Sequence, residues 1–453
     1  MCSFIVSNFY IDNLEFVNFF NKKRGPDLTN AEKIGNLFYV HNLLSITGKM
    51  TPQPFSNDSE EIVSIYNGEI YNYKQLHNNS KSDGECIIPS YQEGGIGCFK
   101  NFDGEYAIVL ADNDQKELYI VTDTFSTKPV WYAKEGERFC ASSYKSVLDR
   151  LGFKNPIKIT PNSLCVFDLK DFSIKKVYSV KRFDILNQTK TDYGDWVKAF
   201  ENSIKKRSAD LREKIFIGLS SGYDSGAIAC ELIKQNIKFK SYSIKAQETL
   251  KVLEERHSIL QQNNQEVDMT FLAKNQFFDS QYSLKKNAEE FRYQIKRNNV
   301  MTPNEFMTDD KGAVGMYYIC KKAENEGIKI YFSGQGADEI FSDYGFGGRK
   351  IYNHSTIGGH FPRDLSQCFP WNNFYNSTQV SYLAKEEGVS GACGIEGRYP
   401  FLDFDVVQEF LWLHPDLKNA NYKAPLHEYL LRNNFPFDIN KKIGFGADQN
   451  LRS

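Results

Sequence analysis

The segment between residues 219 and 226 has the side chains of a phosphate-binding loop. It reads Leu-Ser-Ser-Gly-Tyr-Asp-Ser-Gly and lies between a short apolar run and a helix-forming run. A small-residue loop between a buried strand and a helix offers free backbone N–H groups and the positive end of the helix dipole to an anion. Ser220 and Ser225 add hydroxyl donors, whereas Asp224 adds a carboxylate, which can lie beside a phosphate only if a cation such as Mg²⁺ bridges them. The alternative is a polar turn in an α/β sheet.

A second reactive group is Cys2, in the opening run Met-Cys-Ser-Phe-Ile-Val. Removal of the initiator methionine would leave Cys2 with a thiol and a free α-amine, whose pKa is about 7.7–8.0. That amine can accept the thiol proton, so one residue would supply both nucleophile and base. The alternative is that Cys2 is only the second residue of an apolar strand.

Composition excludes several classes of protein. The chain has 453 residues, 41% of them hydrophobic and 25% charged, with a net charge of −2. These values predict a soluble protein of two or three domains, with neither nucleic acid nor a membrane as partner. No secretory signal and no apolar run of about 20 residues occurs. Nine cysteines without a Cys-x-x-Cys pair indicate reduced thiols, a cytoplasmic location and no zinc site.

Hydrophobic periodicity divides the chain into two parts. Alternating segments at 61–66, 106–111, 118–122 and 163–169 predict strands of a two-sheet β architecture with flanking helices. Residues 181–192 then predict the crossing between domains.

The second part predicts alternating strands and helices. Helical spacing marks 192–208, and buried strands are expected at 214–218, 239–244 and 329–332. Such alternation is typical of a doubly wound, mainly parallel sheet, in which ligands bind at the carboxyl ends of the strands. The segment 333–341, Ser-Gly-Gln-Gly-Ala-Asp-Glu-Ile-Phe, follows the last of these strands and is expected at that edge.

Six motifs occur in a fixed order over the first 150 residues. They are Arg-Gly-Pro-Asp at 24–27, Leu-Ser-Ile at 44–46, Tyr-Asn-Gly-Glu-Ile-Tyr-Asn-Tyr at 66–73, Ser-Asp-Gly-Glu at 82–85, Phe-Asp-Gly-Glu-Tyr-Ala-Ile-Val at 102–109 and Asp-Thr-Phe-Ser-Thr-Lys-Pro at 123–129. In this order they resemble the glutamine-hydrolysing domain of the asparagine synthetase family, a class II (N-terminal nucleophile) amidotransferase.

This resemblance implies a role for each motif residue. Cys2 would attack the side-chain amide of glutamine, and Asn67 with the Gly68 N–H would form the oxyanion hole. Asp83 would pair with the ammonium group of glutamine, and Gly68 and Glu69 would line the same pocket.

One family residue is missing from this pocket. Members usually carry an arginine just before the Leu-Ser-Ile run, where it grips the glutamine α-carboxylate as a fork. Leu43 stands at that position. Arg24 is a candidate replacement, and a turn-stabilising ion pair is its alternative role. We therefore expect weak glutamine binding or a nitrogen donor without that carboxylate.

The second part resembles the same family's synthetase domain. The loop at 219–226 resembles the signature Ser-Gly-Gly-x-Asp-Ser of the ATP pyrophosphatases, with Ser221 in place of the first glycine, and no Walker loop occurs. Such enzymes cleave ATP between the α and β phosphates and leave AMP on a carboxylate or carbonyl oxygen. The segment 333–341 resembles the second signature of asparagine synthetases.

By that resemblance the ATP-binding residues divide into three groups. The AMP part would be held by Leu219, Ile244, Ser333 and Gly334. The phosphates would be held by the loop residues Ser220, Ser221, Gly222, Asp224 and Ser225. Mg²⁺ would be held by Asp224 and Asp338, for which the alternative is that the Asp338 carboxylate only favours a helix dipole.

Two further positions bear on catalysis. Gln335 stands where the family usually has glutamate, and its amide cannot accept a proton, which weakens aspartate as the acceptor more than it weakens adenylation. Lys442, in the family-like run 441–445, would neutralise charge on the departing phosphate; the alternative is a solvated tail lysine. The runs 394–403 and 423–426 also match family blocks. The stretch 342–380 is predicted to be a long loop over the acceptor, with its histidines, His354 and His360, at the surface.

Together these features predict an α/β protein with an N-terminal-nucleophile αββα sandwich at 2–180 and a doubly wound ATP-pyrophosphatase domain at 193–453. The resemblance implies glutamine, ATP, Mg²⁺ and a carboxylate as ligands, with aspartate as the leading acceptor, internal passage of ammonia, and asparagine, AMP and pyrophosphate as products. It is compatible with a homodimer. Three alternatives stay open: a different small or polymer-linked carboxylate, an amide or lactam ligase with weakened or lost glutaminase activity, and a non-catalytic scaffold.

Overall fold

The structure is a computed structural model that describes residues 2–246, 248–289, 291–293, 296–297, 300–301 and 305–442. Its first half contains two antiparallel six-stranded sheets, with the orders β10-β8-β9-β1-β3-β2 and β12-β11-β7-β6-β5-β4. Their strands are β1 (Ser3–Ser7), β2 (Leu28–Ile34), β3 (Leu37–Leu43), β4 (Phe55–Ser56), β5 (Ile62–Ile70), β6 (Gly104–Asp112), β7 (Glu117–Thr122), β8 (Trp131–Glu135), β9 (Arg138–Ser142), β10 (Ile157–Lys158), β11 (Ser163–Asp168) and β12 (Ile174–Ser179).

Helices cover the sheets and form much of the second half. The α-helices among the described residues are α1 (Leu14–Val17), α2 (Phe19–Arg24), α3 (Tyr73–Leu76), α4 (Ile87–Gly94), α5 (Lys145–Arg150), α6 (Gly194–Arg207), α7 (Tyr223–Lys234), α8 (Leu250–Gln262), α9 (Lys274–Asn287), α10 (Lys311–Asn325), α11 (Ala337–Phe341), α12 (Asn372–Tyr375), α13 (Thr378–Gly391), α14 (Phe404–Trp412), α15 (Pro415–Lys418) and α16 (Ala424–Arg432). Short 3₁₀ turns lie at Asp83–Cys86, Gly95–Asn101, Met307–Asp309, Leu365–Gln367 and Pro400–Leu402. In the described part of the chain, no helix has the length and apolarity needed to cross a bilayer.

The alternation of side chains along the first twelve strands produces four layers. Phe4 from the first sheet and Ile65 from the second belong to one core between the sheets. The neighbouring residues point outward, Ile5 into a core with α1 and α5 and Tyr66 into a core with α4. Because successive strand residues face opposite sides, each sheet has one face on its partner and one under helices. This αββα arrangement confirms the predicted fold class, and the four predicted strands all form.

The second half contains a parallel five-stranded sheet of order β15-β14-β13-β20-β23. Its strands are β13 (Ile215–Gly218), β14 (Phe239–Ile244), β15 (Glu266–Thr270), β20 (Ile330–Phe332) and β23 (Glu396–Arg398). Two-residue strands pair β16 (Arg292–Tyr293) with β19 (Glu305–Phe306), β17 (Lys296–Arg297) with β18 (Val300–Met301) and β21 (Gly345–Phe346) with β22 (Arg349–Lys350). The doubly wound prediction is therefore confirmed.

The strand order fixes where a ligand can bind. Chain order reverses between β13 and β20, because β14 and β15 extend the sheet on one side and β23 on the other. At such a switch point the loops after the two central strands diverge and leave a crevice. The loops at 219–222 and 333–336 follow β13 and β20, so both predicted nucleotide loops meet there. Helix α7 begins at Tyr223, four residues before the helix predicted from Ala227 onward, so Asp224 lies in its first turn.

The stretch 342–380 is more ordered than the predicted long loop. It contains the β21–β22 hairpin and α12, and buried Asp343 organises it by accepting hydrogen bonds from the backbone N–H groups of Thr356 and Ile357 at 2.7 and 2.8 Å. The surface prediction is wrong for His354, whose ring is buried between those of Tyr344 and Tyr352. It is confirmed for His360, which is exposed. The prediction for His354 relied on the polarity of its neighbours in sequence, whereas the aromatic rings that cover it come from the same irregular stretch.

Candidate active site

The loop after β13 is held in shape by its own hydroxyl groups. The Ser220 N–H donates to Ser225 Oγ at 3.0 Å, and the Gly222 N–H donates to Ser220 Oγ at 3.1 Å. The two hydroxyls lie 2.8 Å apart. The hydroxyl groups of Ser220 and Ser225, which were predicted as ligand donors, therefore stabilise the turn that leads into α7. This turn brings the loop N–H groups to the N-terminus of the helix.

An internal carboxylate already uses the anion-binding face of this loop. Glu248 accepts hydrogen bonds from both the backbone N–H and the Oγ of Ser221, each at 2.5 Å. Burial raises the pKa of Glu248 despite these bonds. A loop that binds a carboxylate in this way has the donors that a phosphate requires.

A buried guanidinium group supports the loop from α8. Arg256 is fully buried, and its Nη1 donates to the carbonyl oxygens of Ser220 and, at 2.8 Å, Gly222. A Cβ at Gly226 would lie 2.4 Å from the Arg256 Nη2 atom, so glycine leaves room for this support. Burial lowers the pKa of Arg256 to about 10. Sequence reasoning missed Arg256, because it lies 30 residues beyond the loop on another helix.

The loop after β20 lies against the first loop. A Cβ at Gly334 would lie 2.7 Å from the Asp224 Cβ, so the second loop needs glycine to approach α7. Gly336 has a φ of +97°, and a Cβ there would lie 2.3 Å from Leu402. These glycines bring Ser333 and Gln335 to the crevice beside Asp224.

Two predicted acidic residues meet at a lysine that sequence reasoning did not assign a role. Lys423 Nζ lies 2.6 Å from Asp224 and 3.0 Å from Asp338, and Lys442 pairs with the other oxygen of Asp338. Burial opposes ionisation of Asp338, but the ammonium groups of Lys423 and Lys442 hold its pKa well below its usual range. Burial, partly offset by Lys423, raises the pKa of Asp224. Tyr422 donates a further hydrogen bond to Asp338 at 2.8 Å.

This donor set fits a magnesium ion that is shared with a nucleotide. The described residues contain no cluster of three or more His, Cys, Asp or Glu side chains able to hold a metal by themselves. Mg²⁺ commonly takes one or two carboxylates and completes its shell with phosphate and water oxygens. The carboxylates of Asp224 and Asp338 supply that number of protein ligands.

The other predicted nucleotide residues surround the same crevice. Leu219 and Ile244, at the ends of β13 and β14, are both buried. The Leu219 N–H donates to the Tyr242 carbonyl at 2.8 Å and its carbonyl accepts from Ser243 Oγ at 2.7 Å. Lys442 lies at the described end of the chain, whereas Ile443–Phe445, which provided its family context, lie outside the described residues.

The predicted nucleophile precedes β1 in the first half. The Cys2 thiol is buried, 6% exposed, and donates to the Leu44 carbonyl at 3.9 Å. Burial raises its pKa to about 11, so the thiol is protonated at neutral pH in this arrangement. A base must therefore take its proton before it can attack, and Met1, whose removal would free the α-amine, lies outside the described residues.

Asn67 and Gly68, the predicted oxyanion-hole residues, lie in β5. The Asn67 side-chain amide is buried, and neither its Oδ1 nor its Nδ2 has a hydrogen-bond partner among the described residues. Buried amides are normally paired, so such a group indicates a site that a ligand completes. Gly68 has a φ of +140°, and a Cβ there would lie 1.9 Å from the Glu105 carbonyl oxygen of the paired strand. Only glycine can hold this backbone.

The two predicted carboxylates of the glutamine pocket already have partners. Asp83 accepts from the Tyr66 hydroxyl at 2.7 Å and from the Ile70 N–H at 2.9 Å, and burial raises its pKa to about 6. Glu69 lies 3.2 Å from the Arg398 guanidinium group of β23. Burial still raises the pKa of Glu69 well above its usual range. The first half of the site is therefore in contact with the parallel sheet of the second.

Two family models match this chain. A glutamine amidotransferase domain matches residues 8–180 and asparagine synthase matches residues 196–376. The putative asparagine synthetase [glutamine-hydrolyzing] 1 of Methanocaldococcus jannaschii is 27% identical over 420 residues, which cover 86% of this chain and 72% of that protein. The asparagine synthetase [glutamine-hydrolyzing] of Bos taurus is 26% identical over 452 residues, covering 91% and 76%. The chain therefore joins a glutamine amidotransferase domain to an asparagine synthase domain.

The contacts of Arg24 leave it no free donor fork to replace the missing glutamine-binding arginine. Arg24 is fully buried, and its Nη2 pairs with Glu387 of α13. Its Nε donates to the Cys2 carbonyl at 3.0 Å. The guanidinium group is therefore committed to holding Cys2 against the second half, and the turn-stabilising alternative is also wrong, because its partner lies 363 positions away. Leu43 itself is buried at the end of β3.

Helix α13 contacts both halves of the candidate site. Glu387 also accepts from Lys128 Nζ at 3.1 Å and from the Tyr399 hydroxyl at 2.7 Å. The preceding residue, Glu386, accepts a hydrogen bond from Ser333 Oγ in the second nucleotide loop. Sequence reasoning missed both glutamates, since the sequence of a helix carries no signal of its distant partners.

Proposed function

We propose that this protein makes an amide from a carboxylate, ATP and the side-chain nitrogen of glutamine, with release of AMP and pyrophosphate. The observation that carries the proposal is the meeting of Asp224 and Asp338, from the first turns of α7 and α11, at the switch point of a parallel sheet. Two carboxylates at that place match a metal-bound triphosphate poised for attack at its α-phosphate. Aspartate is the leading acceptor, as in the relatives named asparagine synthetase.

We assign glutamine hydrolysis to residues 2–180 and amide synthesis to residues 193–453. In the first domain Cys2 attacks the glutamine amide, and Asn67 with the Gly68 N–H stabilises the resulting oxyanion. The unpartnered Asn67 amide supports this role. In the second domain Asp224 and Asp338 would hold Mg²⁺, which would neutralise charge on the phosphates as the acceptor carboxylate attacks. Lys442 would do the same for the departing pyrophosphate, and its pairing with Asp338 supports this role.

The nitrogen passes between the two sites inside the protein. Arg24 and Glu387 connect the Cys2 carbonyl to α13, and Glu386 on the same helix contacts Ser333 of the nucleotide loop. A route along these residues avoids bulk water, which would otherwise hydrolyse the acyl-adenylate. We also place the enzyme in the cytoplasm, because all nine cysteines are unpaired thiols.

A second candidate is an amide or lactam ligase for another carboxylate, with weakened use of glutamine. Two observations favour it. Leu43 stands at the position of the family's glutamine-binding arginine, and Arg24 is buried and paired with Glu387. Neither position therefore offers a guanidinium group to the glutamine α-carboxylate. Gln335 replaces the family's glutamate beside the acceptor site, so the surroundings of the acceptor differ from those in an ordinary asparagine synthetase.

One experiment separates these functions. ATP–pyrophosphate exchange is measured with a panel of carboxylates that includes aspartate, and amide formation is then measured with glutamine and with ammonium chloride. Exchange with aspartate and synthesis with glutamine at ordinary millimolar concentrations would support the first proposal. Exchange with another carboxylate, with ammonia far better than glutamine, would support the second. Exchange with none of them, together with no glutaminase activity, would refute both.

A further inference from the structure

Helix α13 presents two adjacent glutamates, the partly buried Glu386 and the buried Glu387, to two different places. Glu387 faces Arg24 and Lys128 from the first half, in the contact that leads to Cys2. Glu386 faces Ser333, the first residue after β20. Consecutive helix residues point about 100° apart, so one turn of α13 can serve both neighbours. Glu386 therefore lies where a nitrogen nucleophile from the Cys2 side would reach the nucleotide loop.

The acceptor site lacks a proton acceptor at the family's usual position. Gln335 occupies that position, and a side-chain amide has no basic site near neutral pH. The Gln335 N–H donates to Ser333 Oγ at 3.0 Å, and the same hydroxyl donates to Glu386. Ser333 thus links Gln335, whose side chain cannot accept a proton, to Glu386, whose carboxylate can. The Gln335 Nε2 atom is buried and has no hydrogen-bond partner within the described ranges.

The surroundings of Glu386 suit a carboxylate that exchanges protons near neutrality. The pKa of Glu386 is raised to about 7, chiefly by burial and also by nearby Glu387 and Glu339, against the opposing effects of Ser333 and Lys385. The phenols of Tyr331 and Tyr399 also interact electrostatically with this carboxylate. A general base works best when its pKa lies close to the working pH, and proton transfer by such a group contributes roughly 100- to 10,000-fold in rate.

We propose that Glu386 is the proton acceptor in amide formation, in place of the missing glutamate at position 335. This inference rests on the proposed function of the synthetase half. The ammonia lone pair forms the C–N bond at the acyl carbon of the adenylate, and an N–H proton moves to the free oxygen of the Glu386 carboxylate. The carbon–oxygen bond to AMP breaks, and its electron pair leaves on the phosphate oxygen. Atoms and charge balance without any further reactant.

The test uses the full-length protein with ammonium chloride, ATP, Mg²⁺ and the carboxylate that gives the fastest pyrophosphate exchange. Glu386→Gln keeps an acceptor for the Ser333 hydroxyl but removes the base. We expect exchange within about twofold of the unmodified protein and amide formation reduced by roughly 100-fold or more. Glu324→Gln, a substitution on the exposed face of α10, is the matched control and is expected to change neither rate.

Two further measurements distinguish a base from a structural residue. The rate of amide formation by the unmodified protein should rise with pH around 7, since the base must be ionised. The rate of the Glu386→Gln variant should show no such rise. Adding Gln335→Glu to Glu386→Gln should raise the rate at least about tenfold and restore its dependence on pH, because position 335, beside Ser333, then carries a carboxylate.

Each remaining outcome overturns a defined part of the reasoning. A parallel loss of exchange and amide formation in Glu386→Gln, without rescue by Gln335→Glu, would mean that Glu386 only positions the nucleotide loop. Unchanged amide formation would exclude it as the base while leaving the proposed function intact. Absence of exchange with every carboxylate in the unmodified protein would refute the proposed function, and the role of Glu386 with it.

Discussion

Neutralising Glu387 should destabilise the whole molecule. Its buried carboxylate accepts from Arg24, from Lys128 at 3.1 Å and from the Tyr399 hydroxyl at 2.7 Å. Glu387→Gln would leave two buried cations, of which Lys128 keeps Glu105, at 3.5 Å, as a charged partner. Breaking a buried ion pair from one side costs about 3–5 kcal/mol. We expect the free energy of unfolding in urea to fall by about that amount.

The pH dependence provides an independent check on this contact. Burial opposes ionisation of Glu387, but Lys128 and Arg24 hold its pKa below its usual range. A lowered pKa in the folded state means that the stabilisation is complete above the unfolded-state value, about 4.3, and is lost as pH falls through the folded value. The difference in stability between Glu387→Gln and the unmodified protein should therefore be largest near neutrality and shrink in acid.

A double-mutant cycle isolates the ion pair. Arg24→Met and Glu387→Gln should each destabilise, and the double variant should lose less than the sum, by about 0.5–3 kcal/mol. The exposed pair Lys74–Asp210 also joins the two halves and serves as the control, because Asp210→Asn should cost less than about 1 kcal/mol. Strict additivity of the buried pair, or a Glu387→Gln protein as stable as the Asp210→Asn control, would refute the reasoning.

Three shorter predictions follow from the two sites. Asn67→Ala should lower glutaminase activity by about 100-fold or more while leaving ammonia-dependent synthesis unchanged, measured as glutamate release against amide formation. Asp338→Asn, or removal of Mg²⁺ with EDTA, should abolish ATP–pyrophosphate exchange for every carboxylate but spare glutaminase activity, because the two chemistries use different residues. Gly68→Ala places a Cβ 1.9 Å from the Glu105 carbonyl, so thermal unfolding should show a loss of stability together with lost glutaminase activity.

The sequence predicted what depends on neighbours along the chain. Strand alternation and helix spacing located the elements of both halves, and loop composition located the segments at 219–226 and 333–341. These signals are local, because the period of a strand and the glycines of a tight loop act within a few residues. The start of α7 was misplaced by four residues, since Tyr223-Asp-Ser-Gly resembles a loop until β13 and the crevice fix its backbone.

The sequence could not predict partners that are distant along the chain. Arg24 finds its ion pair 363 positions away, and Lys423 reaches Asp224 across 199 positions. Glu248, which follows β14 in the chain, accepts a hydrogen bond from the Ser221 N–H. A charged side chain looks the same in sequence whether it faces solvent or another buried charge. Only the packing of the two halves decides which, so the electrostatic network was visible only in the structure.

Two of the three residues that depart from the family pattern, Leu43 and Gln335, remove a charge, whereas the third, Ser221, keeps a small residue in the nucleotide loop. Charges and glycines that hold other protein groups, such as Arg24 and Gly334, are retained and fully engaged. Leu43 and Gln335 each remove a charge from a position expected to face a small-molecule substrate. Removing a charge that faces a substrate changes which ligand is recognised, whereas removing one that faces another buried charge destabilises the fold. We therefore expect this protein to retain carboxylate activation by ATP and to differ from ordinary asparagine synthetases in its nitrogen donor and its acceptor carboxylate.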